Sequence, residues 1–346
     1  MKNNKGLKIL ITLALVALFF GGRKLLSTQK TDIADFETNF SFINDFDEDS
    51  FDEENSDSFT KILSKSISKN NESSQKNTKS PYISVIYISG VISEENKTYN
   101  QKWLLKKIKN AKNDSNNRGI LLNINSPGGT VYESDEAYLA LLDYKKTTNR
   151  PVFAYFASLA ASGGYYIGCS ADQIFANRNT LTGSIGVIAG QSLDATGLME
   201  KIGIKMTTIT AGKNKNMGNY NSVLTEEQRT IMQSIADEAY EQFTSIVADS
   251  RKMNISDVKI LADGRIYTAN QAKNNGLIDE VCSFDAAKNT ISNSFEEEIN
   301  FVDYKYHYEE NWMSLLSGAA NFAKNPEAGL YDFLGKTSAK CLYLYQ

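Results

Sequence analysis

Histidine is nearly absent: the 346 residues include one, His307. Serine–histidine triads and most catalytic zinc sites need an imidazole in the right place, and His307 lies in YKYHYEE, downstream of every glycine-rich segment. If the chain is a hydrolase, its base is another residue. Cysteine is scarce too. Cys169, Cys282 and Cys341 are too few and too scattered for a disulfide framework, and with no CxxC pair the usual zinc and dithiol chemistry is excluded. All three are read as packing residues. An excess of positive charge is missing as well: 37 Lys and Arg against 41 Asp and Glu give a formal net charge of -4, with no basic patch to hold nucleic-acid phosphates. Neither the P-loop pattern nor GxGxxG occurs, so the glycine-rich loops are not standard nucleotide cradles. Nothing calls for a metal or another cofactor.

What is present is enough apolar material, 41% of residues, for an enzyme-sized core. The chain opens with MKNNKGLKILITLALVALFFGGRK, a lysine-flanked apolar run from Ile9 to Phe20. The run is short of the ~20 residues that span a bilayer comfortably, and no A-x-A site or lipobox cysteine follows it. Residues 1–26 are read as an uncleaved signal anchor whose flanking Lys and Arg snorkel; a cleaved signal-peptide core is the alternative. Residues 27–80 turn acidic (DFDEDSFDEENSD) and then rich in Ser, Asn and Lys, which predicts a disordered linker.

From Pro81, apolar strand-like runs alternate with helical stretches. YISVIYISGVIS is followed by an amphipathic stretch around Trp103 to Lys112; GILLNINSPGG, by one around Glu133 to Tyr144; PVFAYFAS comes next. That alternation predicts an α/β body with crossover connections, assigned to 81–300. Farther on, Thr225 and Gln228 form a capping-box pattern ahead of Ile231, Ile235, Ala239, Phe243 and Ile246, a long amphipathic helix. Residues 301–346 form an aromatic-rich extension that ends in KCLYLYQ.

Three glycine-rich segments carry the candidate chemistry: SPGGTV, AASGGYY and LTGSIGV. In AASGGYY, small residues leave the hydroxyl of Ser162 accessible at the start of a helix, where peptide dipoles favour a developing oxyanion. A plain helix–sheet contact explains the same residues equally well. In SPGG the amide of Gly129, with that of Gly163, is a candidate pair of oxyanion donors, each such donor being worth ~2.7–4 kcal/mol of barrier; an ordinary turn is the alternative. A serine needs a base, and without a suitable histidine a neutral lysine serves. AGKNKNMG offers Lys213 and Lys215, and spacing alone does not choose between them.

Taken in order, NSPGG, AASGGYY, ADQIFA, TGSIGV, the GxxK of Gly212 to Lys215 and DGRIYTANQAKNNGLIDE closely resemble the signal peptide peptidase A family of serine peptidases, from about Tyr82 to Val281. The resemblance implies that Ser162 is the nucleophile, Lys215 the base and Ser184 the residue that orients the lysine. It implies a ClpP/crotonase-like α/β fold and a homo-octamer, the form with one catalytic module per chain. The substrates it implies are remnant signal peptides and other hydrophobic peptides at the membrane. It places the protein in the cell membrane by a single pass, with its body outside the cytoplasm. Asn216 departs from the acid that often follows the lysine, and the long acidic linker is not shared. A lysine 53 positions beyond the serine fits one dyad within each subunit. Two other readings share the fold: a crotonase-like acyl-CoA enzyme, and a catalytically silent membrane scaffold.

Overall fold

The structure, a computed structural model, describes residues 80–308 and the strand 342–344. The expected anchor and all but the last residue of the expected linker lie outside the described residues, as does most of the C-terminal extension. Among the described residues no helix is long and apolar enough to cross a membrane.

Strand β1 (Tyr82–Ser89) is buried along nearly its whole length. A near-continuous Val/Ile/Tyr run is what a parallel strand covered on both faces requires. It pairs in parallel with β2 (Asn117–Ser126), in register from Ile83↔Gly119 to Ser89↔Asn125. Helix α1 (Gln101–Asn113) makes the crossover, capped by the Asn100 side chain accepting from the Trp103 N–H at 2.8 Å. After the short β3 (Gly128–Thr130), helix α2 (Val131–Thr148) leads to β4 (Val152–Ala161), which is parallel to β2. Each α/β alternation read from the sequence in this half is present, with α2 longer at both ends than its expected span.

The outer edge of β4 is shared. Phe153 to Phe156 pair with β5 (Gln173–Ala176), while Leu159 to Ala161 pair with β6 (Leu181–Gly183). β6 is joined antiparallel by β7 (Ile266–Thr268), and β5 is joined by β8 (Glu280–Val281). At the other edge β9 (Asn300–Tyr304) runs parallel to β1. The body therefore continues to Tyr304, and a boundary at 300/301 cuts through a strand. Phe301 and Tyr304 pack on opposite cores, which holds the strand in place.

Both faces of the sheet are covered. One core gathers Ile86, Ile88, Leu122, Ile124 and Phe156 under α1, α2 and α3 (Gly163–Gly168), with Phe243 and Val247 from α5 (Glu226–Arg251), which follows the short α4 (Thr196–Lys201). The other gathers Val85, Leu121, Phe153, Tyr155 and Phe175 under Ala287 and Ile291 of a later helix, Phe284–Ser292. Each Val, Leu, Ile or Phe among them contributes roughly 1.5–3 kcal/mol by leaving water. The capping box at Thr225 and Gln228 is formed, but α5 has fully buried residues only from Phe243 onward; Tyr240 packs partly against the core, and Ile235 is 41% exposed.

Candidate active site

Strand β4 ends at Ala161 and helix α3 begins at Gly163, so Ser162 is the whole of the turn between them. Its backbone has φ 53° and ψ -118°, a conformation L-residues rarely adopt and one that costs about 1–3 kcal/mol. Neighbouring backbone holds it there: the Ser162 N–H donates to the Gly183 carbonyl at 2.8 Å, and the Tyr166 N–H donates to the Ser162 carbonyl at 2.8 Å. The residue is 1% exposed, yet its hydroxyl oxygen has no hydrogen-bond partner. A buried hydroxyl is normally satisfied. An unsatisfied one on a sharp strand-to-helix turn is poised for another molecule.

The two candidate amides converge beside it. A side-chain carbon at Gly163 would lie 3.2 Å from the Gly129 nitrogen and 2.5 Å from the Ser134 hydroxyl oxygen. Gly129 is itself pressed onto Ile92: the Ile92 N–H donates to Gly128 at 2.8 Å, and the Thr130 N–H donates to Ile92 at 2.9 Å. A side chain at Gly129 would run into the Ile92 backbone. The turn into β3 is fixed by Ser126, whose hydroxyl donates to the Gly90 carbonyl at 2.7 Å and accepts from the Gly128 N–H at 3.1 Å. Ser134, fully buried, donates to the Thr130 carbonyl at 2.8 Å. Below them the Thr130 hydroxyl meets the buried Glu133 carboxylate, and Gln101 donates to the Glu133 carbonyl at 3.1 Å. Burial, and then the Glu133 charge, pushes the Tyr99 phenol far above its usual range. Ser126 and Ser134 were not singled out from the sequence; the signals available were Ser126 in NSPGG and the one-turn spacing of Ser134 from Thr130.

Ser184 is brought to the same place. It follows Gly183 directly, has φ 49°, is 7% exposed, and donates its N–H to the Arg265 carbonyl at 2.8 Å. Lys215 is not brought to Ser162 in this subunit. It lies exposed in a turn closed by its own N–H on the Gly212 carbonyl at 3.2 Å, and the Ser162 hydroxyl accepts nothing from it. Lys213, the other lysine of the segment, is paired with Glu227. Asn216 donates to Asn221 and Ser222 at 3.2 and 3.1 Å. His307 is exposed in the coil after β9. Cys169 is buried, its thiol pushed up to about 12 by burial; Cys282 is half-buried, and Cys341 lies outside the described residues. Among the described residues no three His, Cys, Asp or Glu side chains gather as a metal site.

The last described strand, β10 (Leu342–Leu344), pairs antiparallel with β3, Tyr343 opposite Gly129.

Residues 144–296 match Peptidase family S49. A protein of Enterococcus faecium provisionally named signal peptide peptidase SppA is 38% identical over 226 residues, 63% of this chain and 65% of its own length. The chloroplastic serine protease SPPA of Arabidopsis thaliana is 33% identical over 57% of this chain and 29% of its own length. Protease 4 of Salmonella typhi is 32% identical over 59% of this chain and 33% of its own length. The chain thus spans less than two thirds of the length of each of these relatives. A solved ClpP1 mutant from Listeria monocytogenes covers 58% of this chain and 92% of its own, with 19% identity and a TM-score of 0.38, too slight a likeness to carry an argument. Over residues 144–296 the chain is thus similar to peptidase family S49, and over a little more than half of its length it is similar to proteins named for signal peptide peptidase A.

Proposed function

We propose that this chain is a membrane-anchored serine endopeptidase that hydrolyses remnant signal peptides and other hydrophobic peptides through an acyl-enzyme at Ser162. The observation that carries the reading is the Ser162 hydroxyl, buried and unpartnered on its strained turn beside the converging Gly129 and Gly163 amides. In this reading Ser162 Oγ bonds to the scissile carbonyl carbon as its proton passes to a neutral Lys215. The two amides receive the oxyanion. Collapse breaks the C–N bond, the lysine returns the proton to the leaving amine, and water repeats the sequence on the acyl group.

The lysine of this dyad is exposed in its own subunit, so the reading supplies it from another copy. The stretch that holds Lys215 also exposes Leu198, Ile202, Ile204 and Ile209, and the uncovered Ile235 stands on the following helix. Covering these residues against a second copy would carry Lys215 into a dry site, where desolvation disfavours its ammonium. Serine and lysine would then come from different subunits of a homo-oligomer, an octamer in this proposal, in place of the single-subunit dyad expected from the spacing. Ser184, buried beside Ser162, would steady the incoming amine. The single-pass anchor at 1–26 and a body outside the cytoplasm complete the proposal.

Fluorophosphonate labelling and cleavage of an apolar peptide test it. Wild type is expected to label and cleave, and Ser162→Ala and Lys215→Ala to lose both. Retained cleavage in either variant overturns the dyad. Coenzyme A binding without labelling points to the acyl-CoA reading, and neither activity to a scaffold.

A further inference from the structure

A peptide group is planar and trans, so its carbonyl and its N–H point opposite ways. The Gly128 carbonyl and the Gly129 N–H belong to one such group, and the Ile92 N–H, donating to the Gly128 carbonyl at 2.8 Å, fixes its plane. The Gly129 N–H is thereby turned away from Ile92. The next peptide group is fixed from the same side, by the Thr130 N–H on the Ile92 carbonyl at 2.9 Å. Whatever holds β3 against Ile92 therefore sets the aim of Gly129.

Thr130 and Glu133 stand where a capping box would form, as N-cap and third residue of α2. Thr225 with Gln228 and Thr268 with Gln271, at the same spacing, do form boxes. This pair does not: the Thr130 hydroxyl caps no N–H and is given to the Glu133 carboxylate, while the Thr130 N–H goes to Ile92. With the Ser134 hydroxyl on its carbonyl at 2.8 Å, every polar group of Thr130 is committed. The Glu133 carbonyl accepts from Gln101 at 3.1 Å, and Gln101 accepts in turn from the Tyr99 hydroxyl. Glu133 thus joins β3 to the segment that runs from Ile92 into α1. It is only 7% exposed, and a carboxylate is costly to bury unless its hydrogen bonds are made.

We propose that Glu133 is a positioning residue of the oxyanion site, tying Thr130 to Gln101 so that the Gly129 N–H keeps its aim. The inference rests on the reading of Gly129 as an oxyanion donor. Glu133 touches no reacting atom in it and acts through Thr130.

Fluorophosphonate labelling, peptide kinetics and denaturant melts of Thr130→Val, Thr130→Ser, Glu133→Ala and Glu133→Gln test it. Loss of an oxyanion donor slows turnover by about 10²–10³-fold, and a donor left in place but loosely aimed should cost part of that. Thr130→Val and Glu133→Ala are therefore expected to lower kcat and the labelling rate by about 10–100-fold at unchanged KM. Thr130→Ser and Glu133→Gln, which keep a hydroxyl donor and an oxygen acceptor, should recover most of the rate. Melts that weaken in the first two variants while the folded protein keeps the wild-type kcat overturn the proposal, as does a Glu133→Gln as slow as Glu133→Ala. Should Glu133→Ala not fold, Thr130→Val, which keeps the shape of the side chain, carries the test. If wild type neither labels nor cleaves, the peptidase reading fails and the hold on β3 is decided by amide hydrogen exchange. Residues 128–134 should then exchange about tenfold faster in Thr130→Val than in wild type, and equal rates end the idea.

Discussion

The N–H of Ser162 is bonded to the carbonyl of Gly183, 2.8 Å away, across the tips of two parallel strands. The bond ties the candidate nucleophile to a residue whose own φ is +88°, and a side-chain carbon at Gly183 would lie 2.7 Å from the Tyr267 ring and 3.1 Å from the Arg265 carbonyl. Gly183→Ala is therefore expected to cost about 1–3 kcal/mol of stability and to slow Ser162 labelling by ~10–100-fold, since a 1 Å misplacement is enough for that loss. Denaturant melts and labelling rates, taken where the variant is folded, check both.

Gly163→Ala tests the oxyanion pair. The added carbon meets the Ser134 hydroxyl and the Gly129 nitrogen, so the two amides must part. We expect kcat to fall by about 10²-fold with little change in KM. Adding Ser134→Gly removes one of the two clashes and should restore part of kcat; strict additivity of the two changes would contradict the crowding argument.

These two positions show how far the sequence could be read. The alternation of strand and helix runs was legible because buried parallel strands are near-continuous apolar runs, and Tyr82–Ser89 and Val152–Ala161 are such runs. Ser162, Gly129, Gly163 and Ser184 lie on glycine-rich segments that the fold brings to one end of the sheet, and their roles belong to the proposal. Gly183 and Ser134 escaped notice because their roles depend on what crosses them in space, a Tyr267 ring and a Gly163 backbone, which no local pattern records. The cover of α5 is not legible for a related reason: a 3.6-residue stripe says which face is apolar and not which partner buries it. Sequence separation likewise said nothing of whether Lys215 reaches Ser162 within one subunit.

If serine and lysine come from different copies, two dead variants should rescue one another. Ser162→Ala and Lys215→Ala, each inactive alone, are expected to recover a fraction of wild-type peptide cleavage when unfolded and refolded together. Chromatography should show the activity in the oligomer peak. Normal labelling by a form held monomeric would contradict the shared dyad.

Arg251 and Asp279 give a handle on the fold apart from the chemistry. Arg251 Nη2 and Nη1 contact the Asp279 carboxylate at 2.6 and 3.0 Å, its Nε donates to the Gly276 carbonyl at 2.8 Å, and Asp279 also accepts from the Ile174 N–H at 2.7 Å. Burial pushes the Asp279 carboxyl up, but Arg251 and the Ile174 N–H together hold it below its usual value. A lowered folded value stabilises at neutral pH, and that stabilisation is lost as pH falls through it, below about pH 4. Arg251→Ala should cost about 2 kcal/mol at pH 7 and flatten this acid-side loss; urea melts at pH 3 and pH 7 read both.

Strand β4 changes partners partway along, leaning on β5 through Phe156 and on β6 from Leu159, with Ala157 and Ser158 between. That joint separates two duties along one strand. The inner stretch lies within the core, and the outer tip ends one residue before Ser162. Natural drift in Gln173–Ala176 is therefore felt in the core alone, while drift in Leu181–Gly183 is felt both in the fold and at the turn that holds Ser162.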